Sequence, residues 1–290
     1  METGLVFQCE DAELPGILHT GASDATRGVL VVVGGPQYRV GSHRQFTLLA
    51  RRLAQAGIPV LRFDYRGMGD AGGEFTGFEN IEADIRAALD AFFEQLPQLR
   101  EIVIWGLCDA ASAALFHAWR DPRVSGLVLL NPWVRTEAGQ ARAYLRHYYL
   151  SRLLSPDLWR KIRRGDFAFS AAWRSLWAMF GQARQPDARK TVAATDARKA
   201  VAATSKQTPL PQRMADGWQH FRGPILLILS GDDLTAAEFR DLAKASRIWR
   251  QLLAQPRVTL REYPEANHTF SCRAWRDQVA TWTQEWLQGW

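Results

Sequence analysis

Cys108 sits where a thiol could serve as a nucleophile. It lies at the centre of Trp105-Gly106-Leu107-Cys108-Asp109-Ala110-Ala111-Ser112-Ala113, where an apolar run, EIVIW, passes through small residues into a helical stretch. A side chain projected from so sharp a strand-to-helix turn needs small residues two before and two after it, and Gly106 and Ala110 meet that demand. The thiolate is a strong nucleophile, and a helix N-terminus with a nearby imidazolium favours it. Asp109 works the other way, because its charge disfavours a thiolate even as it suits the first turn of a helix. The plainer alternative is an inert buried cysteine.

Partners for Cys108 follow in a consistent order. Asp233 comes directly after the apolar run PILLILSG, with Asp232 as the alternative acid, and His268 follows the run VTLREYPEA. If both runs are neighbouring strands of one sheet, acid and imidazole reach its carboxyl edge beside the cysteine, where open α/β sheets bind ligands. The acid would fix the imidazole tautomer while the other ring nitrogen takes the thiol proton. Developing negative charge on a substrate carbonyl needs backbone N–H donors. One candidate is the amide of Asp109, and the loop Gly35, Pro36, Gln37 is expected to give another. In the same loop Arg39, His43 and Arg44 could meet an acidic substrate group or simply cap and bridge. Asp64 and Arg66 read as residues that pin loops; Cys9, Cys272 and His117 read as packing residues.

Positioning these groups falls to alternating short apolar runs and longer amphipathic ones, the pattern of a mostly parallel sheet covered by helices on both faces. Residues 5–8 and 15–19 read as an opening hairpin. Strands are expected at 28–33, 59–63, 101–105, 124–130, 224–229 and 258–263. Helices are expected at 46–56, 81–95, 109–119, 236–253 and 273–287. The alternation breaks between 133 and 221, which reads as a helical lid insertion between two parts of one core, 1–132 and 222–290. Within it DARKTVAAT is followed at once by DARKAVAAT, a tandem repeat at 187–204 too short to build a solenoid and expected to be poorly ordered. Tyr144, Trp159, Trp173 and Trp177 fall in this insertion, where they could line an acyl pocket or pack the lid on the core.

The chain of 290 residues is 47% hydrophobic, ample for a substantial core. Its net charge of +6 is concentrated, since residues 135–213 hold 16 Lys/Arg against 5 Asp/Glu. That basicity reads first as a solvated surface, and otherwise as attraction to membrane headgroups or an anionic polymer. Nothing points to nucleic acid. Three scattered cysteines give neither a disulfide framework nor a metal cluster, so no metal or cofactor is expected. The opening METGLVFQCEDA lacks the features of a secretory signal, and no apolar run spans a bilayer, so a cytoplasmic location, or the inner face of the cell membrane, is expected.

Several segments together resemble the exosortase A system-associated hydrolases of the first type, a branch of the α/β-hydrolase superfamily. They are GGPQYRVGSHRQF (34–46), FDYRGMGD (63–70), GLCDAASAA (106–114), LNPWVRT (130–136), SGDDLTAAEF (230–239) and NHTFS (267–271). The family elbow reads GLCDG, and Ala110 replaces its last glycine. The resemblance implies an α/β-hydrolase fold and an enzyme associated with bacterial exopolysaccharide production and PEP-CTERM sorting. The expected chemistry is hydrolysis of an ester or thioester in a small acylated molecule by Cys108, His268 and Asp233. Acyl transfer by the same groups and a non-catalytic scaffold are the alternatives.

Overall fold

The computed structural model describes residues 1–134 and 208–290. Met1–Val134 and Leu210–Trp290 form one compact unit. The repeat and the four aromatic residues of the expected lid lie outside the described residues.

Eight strands form one sheet in the order β1-β2-β4-β3-β5-β6-β7-β8. They are β1 (Glu2–Cys9), β2 (Ala12–His19), β3 (Arg27–Val32), β4 (Val60–Phe63), β5 (Glu101–Leu107), β6 (Val124–Leu130), β7 (Ile225–Asp232) and β8 (Val258–Asn267). β1 and β2 pair antiparallel, β2 joins β4 antiparallel, and β3 to β8 run parallel. The pattern of each strand explains its place. RGVLVV, VSGLVLL and the start of β7 are apolar on both faces and almost wholly buried, as central parallel strands must be. β1 alternates and stays largely exposed at the edge.

The helices are α1 (Gln45–Gln55), α2 (Glu82–Gln95), α3 (Asp109–His117), α4 (Leu210–His220), α5 (Leu234–Ala245), α6 (Arg247–Leu253) and α7 (Arg273–Gln288). In α1, Phe46, Leu49, Ala50 and Leu53 are buried at helical spacing. Side chains alternate across a strand, and β5 uses this to divide the layers. Ile104 faces residues of α2 and α3, whereas Trp105 faces residues of α1 and α7. α4, in a segment that the sequence gives to the insertion, buries Met214 and Trp218 and packs on α3.

Two expected elements differ. The single helix at 236–253 is two, broken at Ser246, whose backbone is extended and whose Oγ accepts the Trp249 N–H at 3.4 Å. That N-cap starts α6 afresh. β8 continues past Tyr263 to Asn267 because a register shift inserts extra residues opposite Gly231. A Cβ at Gly231 would drive into the Pro264 carbonyl, so only glycine lets the strands close there. Among the described residues no helix is long and apolar enough to cross a membrane.

Candidate active site

Cys108 is the residue between β5 and α3, with φ 64° and ψ −123°. A left-handed φ is unfavourable for any residue with a Cβ, at a cost of about 1–3 kcal/mol, and persists only where the surroundings enforce it. They do so here. The Cys108 N–H donates to the Leu130 carbonyl at 2.9 Å, and its own carbonyl accepts from the Trp133 N–H at 3.2 Å. Ser112 Oγ donates to the Trp133 carbonyl at 2.7 Å, tying the loop after β6 to α3. A Cβ at Gly106 would come within 2.7 Å of the Ala110 backbone, which explains the glycine two residues before the cysteine. Ala110 fits without exposure, so the extra methyl is accommodated in the turn.

The acid and the histidine meet. His268 Nδ1 lies 2.9 Å from Asp233 Oδ2. Asp233 is also the N-cap of α5, accepting from Thr235 N–H at 3.1 Å and Ala236 N–H at 3.0 Å. Burial would raise its pKa, but the hydrogen bond and charge of His268, with the two amides, outweigh that and hold the carboxyl below its ordinary range. Asp232 is exposed and pairs in the ladder opposite Asn267. With Nδ1 engaged, His268 has Nε2 left for proton transfer. His268 is near enough to Asp109 for its charge to favour that carboxylate, so imidazole and elbow share one rim of the sheet.

Asn131 joins these parts, and the sequence reading passed over it. It is fully buried at φ 43°. Its Nδ2 donates to Ser230 Oγ at 2.9 Å and to the His268 carbonyl at 3.0 Å, and its Oδ1 accepts the Ser230 N–H at 2.9 Å. One amide thus fixes the end of β7 and the histidine loop together. The sequence signal was an asparagine before proline at the end of an apolar run, since asparagine tolerates the left-handed region.

The expected oxyanion loop needs correction at Pro36. Pro36 has no N–H and can donate nothing. The Gly35 N–H already donates to Asp109 Oδ1 at 2.6 Å. Gln37 is tied through its side chain, whose Oε1 accepts the Ser42 N–H at 2.9 Å. Gly34 is needed because a Cβ there would lie 2.5 Å from Asp109 Oδ1 and press on the Leu107 carbonyl. The Asp109 pKa is raised, burial outweighing the amides of Gly35, Ala110 and Asp109 itself that favour its charge. The Asp109 carboxylate therefore gathers the amides of Gly35, Ala110 and its own residue. Arg39 is bound to Asp64 and Asp70, and Arg66 to Asp84 and Glu10, so these residues brace loops. His117 is buried, which pushes its pKa down to about 4. Among the described residues no group of three or more His, Cys, Asp or Glu is placed to hold a metal ion.

The sequence signature of the α/β-hydrolase family matches residues 29–282. The chain belongs to the α/β-hydrolase family. This α/β-hydrolase matches no curated protein. Among solved structures it is similar to an esterase of Pyrococcus furiosus, at 15% identity and a TM-score of 0.64, over 100% of this chain and 93% of that one. A carboxyl esterase from Bacillus coagulans is similar at 18% identity and 0.62, over 99% and 98%. A dienelactone hydrolase from Anabaena variabilis is similar at 17% identity and 0.60, over 100% and 98%. At these identities the likeness is one of fold.

Two expected results arise from the geometry of this α/β-hydrolase. Asn131→Ala leaves the buried Ser230 N–H without its acceptor and frees the His268 carbonyl, so a loss of about 2–4 kcal/mol is expected in denaturant unfolding. A change below about 0.5 kcal/mol would deny Asn131 its clamping role. Asp109→Asn keeps an acceptor for Gly35 but removes the buried charge. Because the Asp109 pKa is raised, the folded state holds its proton more tightly than the unfolded chain does. Stability is therefore lost as pH rises from the ordinary carboxylate pKa through the raised one. The asparagine variant should melt higher than the parent at neutral pH, with the gap closing in acid. Equal melting temperatures at neutral pH would mean the carboxylate is not strained by burial.

Proposed function

We propose that this α/β-hydrolase cleaves an ester or thioester through an acyl-cysteine intermediate. The observation that carries the reading is Cys108 itself, a non-glycine residue held at φ 64° on the strand-to-helix turn above the carboxyl edge of the sheet. The His268–Asp233 pair supports it. In the reaction, His268 Nε2 takes the thiol proton as sulfur bonds to the substrate carbonyl carbon. The resulting oxyanion draws on the Asp109 N–H and on a second amide of the 35–37 loop, with the Asp109 and Gly35 amides available once the Asp109 carboxylate releases them. The C–O or C–S bond then breaks and His268 returns the proton to the leaving alcohol or thiol. Water, deprotonated by His268, attacks the thioester, and the carboxylic acid leaves as Cys108 regains its proton.

The resemblance of the elbow, the glycine-rich loops and the histidine loop to exosortase A system-associated hydrolases supports a substrate within exopolysaccharide production, acted on in the cytoplasm or at the inner membrane face. Contact of the basic stretch at residues 135–213 with an anionic surface belongs to the same proposal; cosedimentation with anionic liposomes that weakens as salt rises supports it, and no binding at low salt removes it.

Steady-state assays with p-nitrophenyl butyrate and butyryl-CoA test the activity. Turnover of at least one, above the level of Cys108→Ala, is expected. If neither is hydrolysed above that level, the protein is not an esterase or thioesterase of simple acyl groups.

A further inference from the structure

A cleft of about 460 Å³ lies between α1 and α7, on the face of the sheet opposite α3. Its floor is Trp105, which Phe46 meets edge-on with ring centroids 5.4 Å apart. Gln45 and Arg273, the first residues of α1 and α7, both line it. Neither helix has a side-chain N-cap or an acid in its first turn, whereas α5 and α6 are capped by Asp233 and Ser246. At α1 backbone carbonyls take the first amides, Ser42 that of Gln45 and Val40 that of Thr47, so of the two it is the α7 N-terminus that presents N–H groups and partial positive charge.

The side chains add to this. Among the described residues lining the cleft, Arg52, Arg273 and Arg276 face a single acid, Asp277, leaving a net charge of +2. Asp277 bonds Arg276 at 2.9 Å and Arg273 at 3.4 Å, so it opposes a doubly charged ligand more than a singly charged one. Two buried donors, Gln45 Nε2 and Trp105 Nε1, have no partner among the described residues. These residues are only 5% and 1% exposed. Burying an unpaired donor is costly, and an acceptor delivered from the cleft, with a slight turn of the Gln45 amide, would satisfy it. The proposed acyl chemistry uses none of these groups.

We propose that this cleft is a second binding site, taking a small monocarboxylate with an apolar body. The α7 N-terminus, Arg273, Arg276 and the Gln45 amide would receive the carboxylate, with Arg52, held by Gln284 Oε1 and the Asp277 carbonyl, adding charge behind them. Leu48, Leu49, Val279, Ala280 and the Trp105 ring would receive the apolar part. The volume falls in the range of about 300–1,000 Å³ that suits small-molecule ligands.

Calorimetric titration of the full chain carrying Cys108→Ala with 2-naphthoate, and with naphthalene-2-methanol as its uncharged counterpart, tests the site. Saturable one-to-one binding of naphthoate with Kd below about 1 mM is expected, with the alcohol at least about tenfold weaker. Gln45→Leu and Arg276→Met, each checked for the parental melting curve, should weaken naphthoate by about tenfold. If one variant does not fold, the other carries the test. Absence of saturable binding, equal affinity for the alcohol, or undiminished binding in the folded variants would overturn the proposal. Because Cys108 is absent from the protein tested, the result stands whether or not ester hydrolysis is observed.

Discussion

Cys108→Ser is expected to fold as the parent does and to lose most of its ester hydrolysis, with Cys108→Ala at background, a loss on the order of 10³–10⁶ in kcat. A serine hydroxyl gives up its proton far less readily than a thiol, and Asp109, whose carboxylate sits at the mouth of the elbow, opposes any developing negative charge. Sulfur tolerates that setting better than oxygen because a thiol is a far stronger acid than an alcohol. The backbone supplies an internal control. Cys108→Ala retains a Cβ at φ 64°, whereas Cys108→Gly does not, so the glycine variant should be the more stable of the two inactive proteins by about 1 kcal/mol. Chemical denaturation measures that difference directly. Full activity in Cys108→Ala would remove the cysteine from the mechanism, and a glycine variant no more stable than the alanine one would mean the turn is not under strain.

Asp233→Asn is expected to lower kcat by about 10³–10⁴-fold, while Asp232→Asn stays within about twofold of the parent. Three donors meet the two carboxylate oxygens, Thr235 N–H at Oδ1 and Ala236 N–H with His268 Nδ1–H at Oδ2, so the asparagine NH2 must face a donor in either orientation. The tautomer that leaves Nε2 free to take a proton is then no longer held. Capping suffers as well, and a loss of about 1 kcal/mol in stability should accompany the kinetic one. The pH dependence follows from the lowered pKa of Asp233. A carboxylate held below its unfolded value gives stability that is complete at neutral pH and is lost as pH falls through the folded pKa. The parent should therefore be destabilised by acid more than Asp233→Asn is, and parallel acid curves would contradict the pairing.

The sheet was legible because its central strands are apolar on both faces, and GVLVVV, EIVIW, VSGLVLL and PILLIL admit no other reading at that length. The elbow was legible from Gly106, Cys108 and Ala110, whose small neighbours have a steric cause. The choice between Asp232 and Asp233 was not, because alternation along β7 fails at the register shift after Ser230, where β8 contributes extra residues. Asn131 was missed for a related reason. Its partners, Ser230 and the His268 carbonyl, are about a hundred residues or more distant in sequence and are brought together only by the pairing of β6 with β7. The oxyanion loop was read from position alone, and the engagement of the Gly35 amide by Asp109 depends on a side-chain rotamer that no sequence pattern encodes. The break at Ser246 could have been found, since serine three residues before Trp249 is an ordinary N-cap signal inside a long amphipathic run.

Trapping the acyl group is the most direct test of the covalent chemistry. The parent protein, mixed with p-nitrophenyl butyrate and quenched in acid within the first turnover, would be digested and its peptides weighed. A butyryl adduct confined to the peptide bearing Cys108, absent from Cys108→Ala and persisting longer in His268→Ala once formed, is the expected result. An acyl group found on another residue while hydrolysis proceeds, or turnover with Cys108 never modified, would contradict it.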